Sequence, residues 1–313
     1  MTSQAVEGGH RPPRRVGDRI FSGLVTAAAT VILVTLAGVA LFLTFEGLPA
    51  LTAKASELPG ADTFAAYVWP LVFGTLLSSI LALLFAVPVS IGVALFISHF
   101  APRRLSATLG YLVDLLAAVP SIIYGLWGIF FLAPRMLPLY EWLAANMSWV
   151  PFFAGPASTT GRTILTVGLV LGVMVLPIMT AICREIFLQT PRLHEEAALA
   201  LGATRWEMIR MTVFPYGRSG IVSGAMLALG RALGETIAVA TILSVSGVVT
   251  FNLISNTNPG TIAANIALKF PEASGIEVNV LIATGLVLFI ITFAVNFLAR
   301  AIVGRRAEFS GAN

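Results

Sequence analysis

An arginine and a glutamate stand four residues apart inside an apolar segment, LGRALGETIAV, residues 229–239. In an uninterrupted helix starting near residue 219, Arg231 would lie about 18 Å along the axis, around mid-bilayer. The four-residue spacing predicts that Arg231 and Glu235 share one helix face. Arg231 could offer a planar fork of donors to a phosphate-like oxyanion, and Glu235 could hold the arginine or accept a hydrogen bond from a protonated anion. The alternative is a buried ion pair that fixes helix packing, because charges at this depth are costly.

Other residues in apolar segments bear on the same question. Asp114 lies about one third of the way into its segment, and it serves either as a structural hydrogen-bond partner or as part of a transport path. Three segments contain internal prolines, which predict either tolerated kinks or broken helices that line a path: Pro88, Pro120 and Pro177. Two pairs of glycines at four-residue spacing predict close helix packing: Gly220 with Gly224, and Gly230 with Gly234.

The elements that position these residues follow from composition. Mean hydropathy is +0.91, with 57% hydrophobic and 11% charged residues, which excludes an ordinary soluble domain. Lipid demands helices of about 20 apolar residues. Six segments qualify: 20–44, 68–98, 107–133, 162–183, 219–249 and 278–303. The prediction is an all-α polytopic membrane protein, with a tail 1–19, a first helix 20–44, an external loop 45–67, a five-helix core 68–303 and a tail 304–313.

Basic residues predict the orientation. Fourteen arginines fall in the N-terminal tail, the second-to-third loop, the loop 184–218 and the C-terminal end. Only four basic residues fall on the other side: Lys54, Arg135, Arg162 and Lys269. Because cytoplasmic loops are enriched in Lys and Arg, both termini and the loop 184–218 are predicted to be cytoplasmic.

The loop 184–218 is unusually elaborate for a membrane protein. Thr190 and Pro191 predict an N-cap and first helical position, and the helix would end at Gly202. The alternative is an interfacial helix lying on lipid, which the adjacent Glu195 and Glu196 disfavour because anionic headgroups would repel them.

A second helix follows in the same loop. Thr204 and Glu207 have the spacing of a capping box, and Pro215 is expected to end the helix before the next membrane segment. Two linked helices between apolar segments predict a docking element for a soluble partner.

Several other functions fit the sequence poorly. The chain has only two lysines, Lys54 and Lys269, and neither completes a Gly-Lys-Ser/Thr phosphate loop, so ATP hydrolysis must come from another chain. Its three histidines are scattered, which predicts no metal site, and no cofactor is expected on this chain. A channel or ion-coupled carrier would explain Arg231 but would leave the elaborate loop unexplained.

The loop resembles a known sequence pattern. Glu196-Ala197-Ala198, followed by Gly202 and later by Pro215, is similar to the EAA loop of ABC importer permeases. That resemblance implies a type I permease fold whose coupling helix docks on an ATPase subunit that uses ATP and magnesium. The residues it assigns to ATPase coupling are Glu195, Glu196, Ala197, Ala198 and Gly202. The usual ending Ile-x-Leu-Pro is replaced here by residues 212–215, Thr-Val-Phe-Pro.

The segment GRALGETIAV resembles, more narrowly, the PstC-type permeases of phosphate importers. Residues 114–128 and 101–104 add to this similarity, and Ile237-Ala238 stands where the sister PstA-type has Ala-Pro. The resemblance implies phosphate import across a bacterial inner membrane by alternating access, with residues of the path given as Arg231, Glu235, Thr236 and Asp114. It also implies a PstA-type permease, a PstB-type ATPase dimer and a PstS-type binding protein as partners. Sulfate or molybdate remains an alternative substrate.

Overall fold

The computed structural model describes residues 16–53, 58 and 61–307. Of the two predicted tails, residues 1–15 and 308–313 lie outside the described residues, and residues 16–19 and 304–307 are helical.

The described chain forms twelve α-helices. In order, α1–α12 span Val16–Leu51, Phe64–Leu95, Arg103–Ala117, Ser121–Trp127, Ala133–Asn146, Ile164–Leu188, Arg192–Ala200, Arg205–Met208, Phe214–Leu233, Ile237–Ile242, Ile262–Lys269 and Ile276–Ala307. Three π-helical turns follow α2, α4 and α8 at Phe96–Phe100, Gly128–Leu132 and Ile209–Val213.

Within this described part, five helical stretches are long and apolar enough to cross a membrane. They are Gly17–Leu51, Phe64–Phe100, Ser121–Asn146, Ile164–Leu188 and Ile276–Ala301, and each overlaps a predicted segment. The remaining predicted segment, 219–249, is not one helix. It forms most of α9, the short helix α10 and the start of a loop.

The third predicted segment, 107–133, is also wrong as a single helix. The chain breaks after α3, and Pro120 occupies the N-cap position of α4. A proline has no N–H to continue a helix, and it disfavours the helical conformation of the residue before it. The Tyr124 hydroxyl donates a hydrogen bond to the Leu116 carbonyl of α3 (3.0 Å), which satisfies part of the helix end. The membrane-length stretch therefore runs from α4 through α5.

The core of the molecule is centred on α6, which packs against α2 and α9. Pro88 and Pro177 lie inside the continuous helices α2 and α6, so these two prolines do not break their helices. The Ser90 hydroxyl of α2 donates to the Leu176 carbonyl of α6 (3.1 Å). The helix α12 packs chiefly against α1, outside this core.

One predicted glycine pair packs as expected and the other does not. The buried Gly220 and Gly224 of α9 face Ile186 and Ile182 of α6, where a side chain at position 220 would overlap Ile186. Gly230 has open space around its Cα, and Gly234 lies past the end of α9. Only the first pair therefore mediates close helix packing.

Candidate functional site

The candidate site begins with a helix that continues from the loop 184–218 into the core. Helix α8, the π-helical turn Ile209–Val213 and α9 run without interruption from Arg205 to Leu233. Pro215 does not end a helix, contrary to the sequence expectation. It lies in the first turn of α9, directly after the π-helical turn, where its missing N–H is tolerated. The loop and the segment carrying Arg231 are therefore mechanically continuous.

Arg231 and Glu235 do not share one helix. Arg231 occupies the last turn of α9, the helix ends at Leu233, and Glu235 lies in the break before α10. Gly234 is the C-cap of α9, where its low helix propensity favours the break. The prediction of a common helix face was therefore wrong.

The two charged groups also have separate environments. Glu235 is buried, with 9% of its surface exposed, and its Oε1 accepts a hydrogen bond from the Ala238 N–H at the start of α10 (3.2 Å). Among the described residues, no ion pair joins Glu235 to Arg231. The Thr236 hydroxyl donates to the Gly234 carbonyl (3.1 Å). Glu235 and Thr236 thus stabilise the break, while Arg231 Nε is buried without a hydrogen-bond partner in the described structure.

Arg231 borders a groove of about 810 Å³ between α6, α9 and α12. The exposed residues of α9 beyond Arg218 form one stripe along this helix: Ser219, Ser223, Leu227 and Gly230. The remaining polar lining comes from α12. Residues that line the groove are Ile178, Val222, Ser223, Met226, Leu227, Gly230, Arg231, Asn296, Ala299 and Arg300.

Sequence reasoning missed the α12 side of this groove. Asn296 and Arg300 are four residues apart near the end of a long apolar stretch of α12, the same spacing as Arg231 and Glu235. In the sequence, Arg300 serves only to predict membrane orientation. Its four-residue spacing from Asn296 is the signal that could have identified this side of the groove.

Asp114 lies elsewhere. It is on α3, its side chain is 55% exposed, and its Oδ2 is 4.0 Å from Nη2 of Arg184 on α6. A side chain at Gly110, one turn before Asp114, would collide with the Arg184 guanidinium. The pair joins α3 to α6, and Asp114 is not among the residues lining the groove.

The loop 184–218 forms the two helices that the sequence predicts, with one change at its start. Pro191, rather than Thr190, is the N-cap of α7, and Thr190 is buried. Gly202 has φ +88°, and the N–H groups of Gly202 and Ala203 donate to Leu199 and Ala198. This is a Schellman motif, which a glycine adopts without strain.

The predicted capping box at the start of α8 is confirmed. The Thr204 N–H donates to Glu207 Oε2 (2.8 Å), and the Glu207 N–H donates to the Thr204 hydroxyl (3.3 Å). The backbone and side-chain hydrogen bonds from Thr204 lower the pKa of Glu207, because they favour its ionised form. The helix that leads to Arg231 therefore has a well-defined beginning.

The candidate coupling residues divide between two faces of α7. Ala198 is buried in the main core, and Glu195 Oε1 lies 3.3 Å from Nε2 of His99 in the π-helical turn that follows α2. Residues on the outward side are exposed: Glu196, Ala197 and Gly202, with Leu193 at 77% and Leu201 at 89%. One face thus attaches α7 to the molecule, and the other presents glutamate and leucine side chains to solvent.

This architecture and the helix pair α7–α8 are typical of one class of protein. A family model described as the binding-protein-dependent transport system inner membrane component matches residues 86–308. The chain belongs to this family of ABC importer permeases and has their type I fold, as the sequence resemblance predicted. It is a multi-pass inner-membrane transport subunit, and ATP hydrolysis belongs to a separate subunit.

Curated relatives narrow the comparison to one type of permease. The chain is 46% identical to phosphate transport system permease protein PstC 2 of Mycobacterium tuberculosis, over 98% of both chains. It is 39% identical to PstC of Xylella fastidiosa, over 94% of this chain and 93% of the relative. These relatives confirm the resemblance drawn from GRALGETIAV.

Solved structures with low identity share the fold. A bacterial ABC transporter involved in alginate import has a TM-score of 0.56 at 18% identity, covering 92% of this chain and 99% of that chain. The inward-facing MetNI methionine ABC transporter has a TM-score of 0.52 at 17% identity, covering 76% of this chain and 94% of that chain.

Proposed function

We propose that this chain is the PstC-type permease of an importer that moves inorganic phosphate into the cytoplasm. The observation that carries the proposal is Arg231, whose guanidinium borders the groove while its Nε is buried without a partner. The oxygens of a tetrahedral oxyanion can accept hydrogen bonds from the planar set of N–H donors of this guanidinium. The phosphate transport permeases at 39–46% identity support this choice of anion.

In this proposal Glu235 helps to position Arg231 and does not bind the anion. Its carboxylate caps α10 and is buried, so it fixes the break that follows Arg231. Thr236 contributes to the same break through its bond to Gly234. Asp114 bridges α3 and α6 through Arg184, so we assign it to the support of the path rather than to contact with phosphate.

Energy reaches the site through α7 and α8. The exposed face with Glu196, Ala197 and Gly202 docks on an ATPase subunit, where ATP and magnesium are bound and hydrolysed. Closure of two PstB-type ATPases rocks this face, and the continuous helix from Arg205 to Leu233 transmits the motion to Arg231. The other proposed partners are a PstA-type permease and an external PstS-type binding protein, and both termini of this chain are cytoplasmic.

Labelled-phosphate uptake by the reconstituted complex tests this proposal. In Arg231→Ala, uptake should fall by about 10- to 100-fold, as expected when a charge-assisted hydrogen bond worth about 1.5–3 kcal/mol is lost. Arg231→Lys should be intermediate, because lysine keeps the charge and loses the fork. Arg104→Ala is the matched control, since Arg104 is exposed at the start of α3, away from the groove.

The same preparation tests the docking face and the choice of anion. Glu196→Lys should reduce co-purification of the ATPase while leaving the fold intact. Unchanged uptake in Arg231→Ala would refute the role of the arginine. Stronger competition by sulfate or molybdate than by unlabelled phosphate would assign the transporter to another oxyanion.

A further inference from the structure

The groove contains a second guanidinium that the transport function does not yet explain. Arg300 and Asn296 of α12 line the same groove as Arg231 of α9. The four-residue spacing places both side chains on one face of α12. Exposed apolar side chains lie beside them, among them Phe293 (68%) and Phe297 (64%), while the exposed Leu298 (59%) lies on another face of α12. Asn296 and Arg300 are therefore the polar side chains that α12 contributes to the groove.

The two arginines lie at different heights along the groove. Helix α9 begins at the cytoplasmic loop, and Arg231 is in its last turn, far from that loop. Helix α12 runs toward the C-terminus, so Arg300 lies in its later part, near the end predicted to be cytoplasmic. The lining of α9 extends from Val222 to Arg231, a rise of about 14 Å. The groove thus has one arginine at each of two heights along its length, rather than a single cationic group.

Two further polar side chains line the groove, Ser223 of α9 and Asn296 of α12. The Ser223 hydroxyl donates to Ser219 of its own helix and keeps its oxygen available as an acceptor. The Asn296 side-chain NH₂ donates to the Thr292 carbonyl (2.8 Å) and has a second N–H to offer. Donors from Arg231, Asn296 and Arg300 therefore border one continuous cavity.

We infer that Arg300, assisted by Asn296, forms a second contact for the transported oxyanion at the cytoplasmic end of the groove. This inference rests on the proposed anion import. An anion leaving Arg231 must otherwise cross an apolar stretch of the groove, where an uncompensated charge is costly. A second cation lowers that barrier. Because Arg300 is exposed, it holds the anion more weakly than a buried group would, and this favours release.

The principal test is uptake of inorganic phosphate by the complete complex in vesicles. Arg300→Gln should lower the maximal rate about tenfold, with no change in phosphate affinity of the external binding protein. Arg300→Lys should retain at least about half of the wild-type rate, because its charge is preserved. Arg104→Gln, a substitution of an exposed arginine off the groove, should leave the rate unchanged.

Chemical restoration of the charge separates this role from a structural one. In Arg300→Cys, an aminoethyl methanethiosulfonate should restore uptake, whereas the anionic sulfonatoethyl reagent should not. The chain has one native cysteine, the buried Cys183, so the treated wild type controls for other labelling. Recovery with both reagents would show that only side-chain volume matters and would overturn the inference.

Vesicle composition distinguishes the transported anion from a lipid headgroup. If Arg300 binds anionic lipid phosphate instead, Arg300→Gln will impair uptake only in vesicles containing phosphatidylglycerol, and the inference fails. Loss of uptake also in purely phosphatidylcholine vesicles supports it. A wild-type rate in Arg300→Gln beside a defective Arg231→Ala overturns this inference alone. Normal uptake in Arg231→Ala instead counts against the proposed function.

Discussion

The surfaces of α1 and α9 differ, although both helices belong to segments that hydropathy alone assigns to the membrane. The helix α1 exposes many large apolar side chains, among them Phe21 (70%), Leu33 (68%) and Phe45 (69%), and its exposed polar residues lie chiefly in its first half. The exposed stripe of α9 beyond Arg218 has two serines, a glycine and one leucine. Lipid favours the first surface, whereas the second suits water and a polar solute. The residues left exposed, rather than mean hydropathy, distinguish a lipid-facing helix from one that lines a path.

Paired cysteines give the largest expected contrast between the two helices. In the assembled complex, Ser223→Cys should react with a water-soluble thiol reagent at least about tenfold faster than Leu33→Cys. Reaction requires the thiolate, which forms in water but not in apolar surroundings. Rates are followed by mass spectrometry, with the buried Cys183 of the wild type as background. Equal rates at the two positions would contradict the assignment of α1 to a lipid-facing surface and of α9 to a water-filled path.

Identical substitutions at two glycines test the opposite face of α9. Gly220→Leu should destabilise the chain by about 1–3 kcal/mol, because its side chain must displace Ile186 of α6. Gly38→Leu in α1 should be nearly neutral, since nothing lies within 4 Å of the added Cβ. Thermal unfolding of the detergent-solubilised permease measures the difference. Similar melting temperatures for the two variants would contradict the close packing of α9 on α6.

The smallest effect is expected at the beginning of the continuous helix that runs from Arg205 to Leu233. Thr204→Ala should lower the stability of the α8 turn by about 1 kcal/mol by removing the N-cap. Thr30→Ala in α1 should have little effect, because the Thr30 hydroxyl only donates back to Thr26 within the helix. Hydrogen exchange of the amides at 204–208, compared with those near residue 30, measures both changes.

The pH dependence of this first turn has a defined sign. The pKa of Glu207 is lowered in the folded state by its bonds to Thr204. Its contribution is therefore complete above the ordinary glutamate pKa and is lost as pH falls through the lowered value. After correction for intrinsic exchange, the difference between wild type and Thr204→Ala should shrink in acid. A difference that grows in acid would contradict the capping arrangement.

The sequence predicted local features better than helix continuity. The capping box at Thr204 and the terminator Gly202 depend on neighbouring residues, and both are found in the structure. Pro120 breaks its segment while Pro88 and Pro177 lie within continuous helices, and no local rule separates these three positions. The difference depends on surrounding contacts, such as the Tyr124 bond to Leu116. The sequence does not predict the groove in part because Arg231 and Arg300 are 69 residues apart, and only helix packing brings them to the same groove.

The break at residues 234–236 determines how far motion can travel. From Arg205 to Arg231 the chain is helical over about 39 Å, so a tilt of about 5° at the Arg205 end would shift the other end by about 3 Å. Beyond the break, α10 is fixed to the outer loops, because Arg162 Nε donates to the Ile242 carbonyl (3.0 Å). If the helix tilts, the break at residues 234–236 is where it would bend relative to α10. Such a bend would displace Arg231, which precedes the break, without displacing α10 and the loop that carries Arg162.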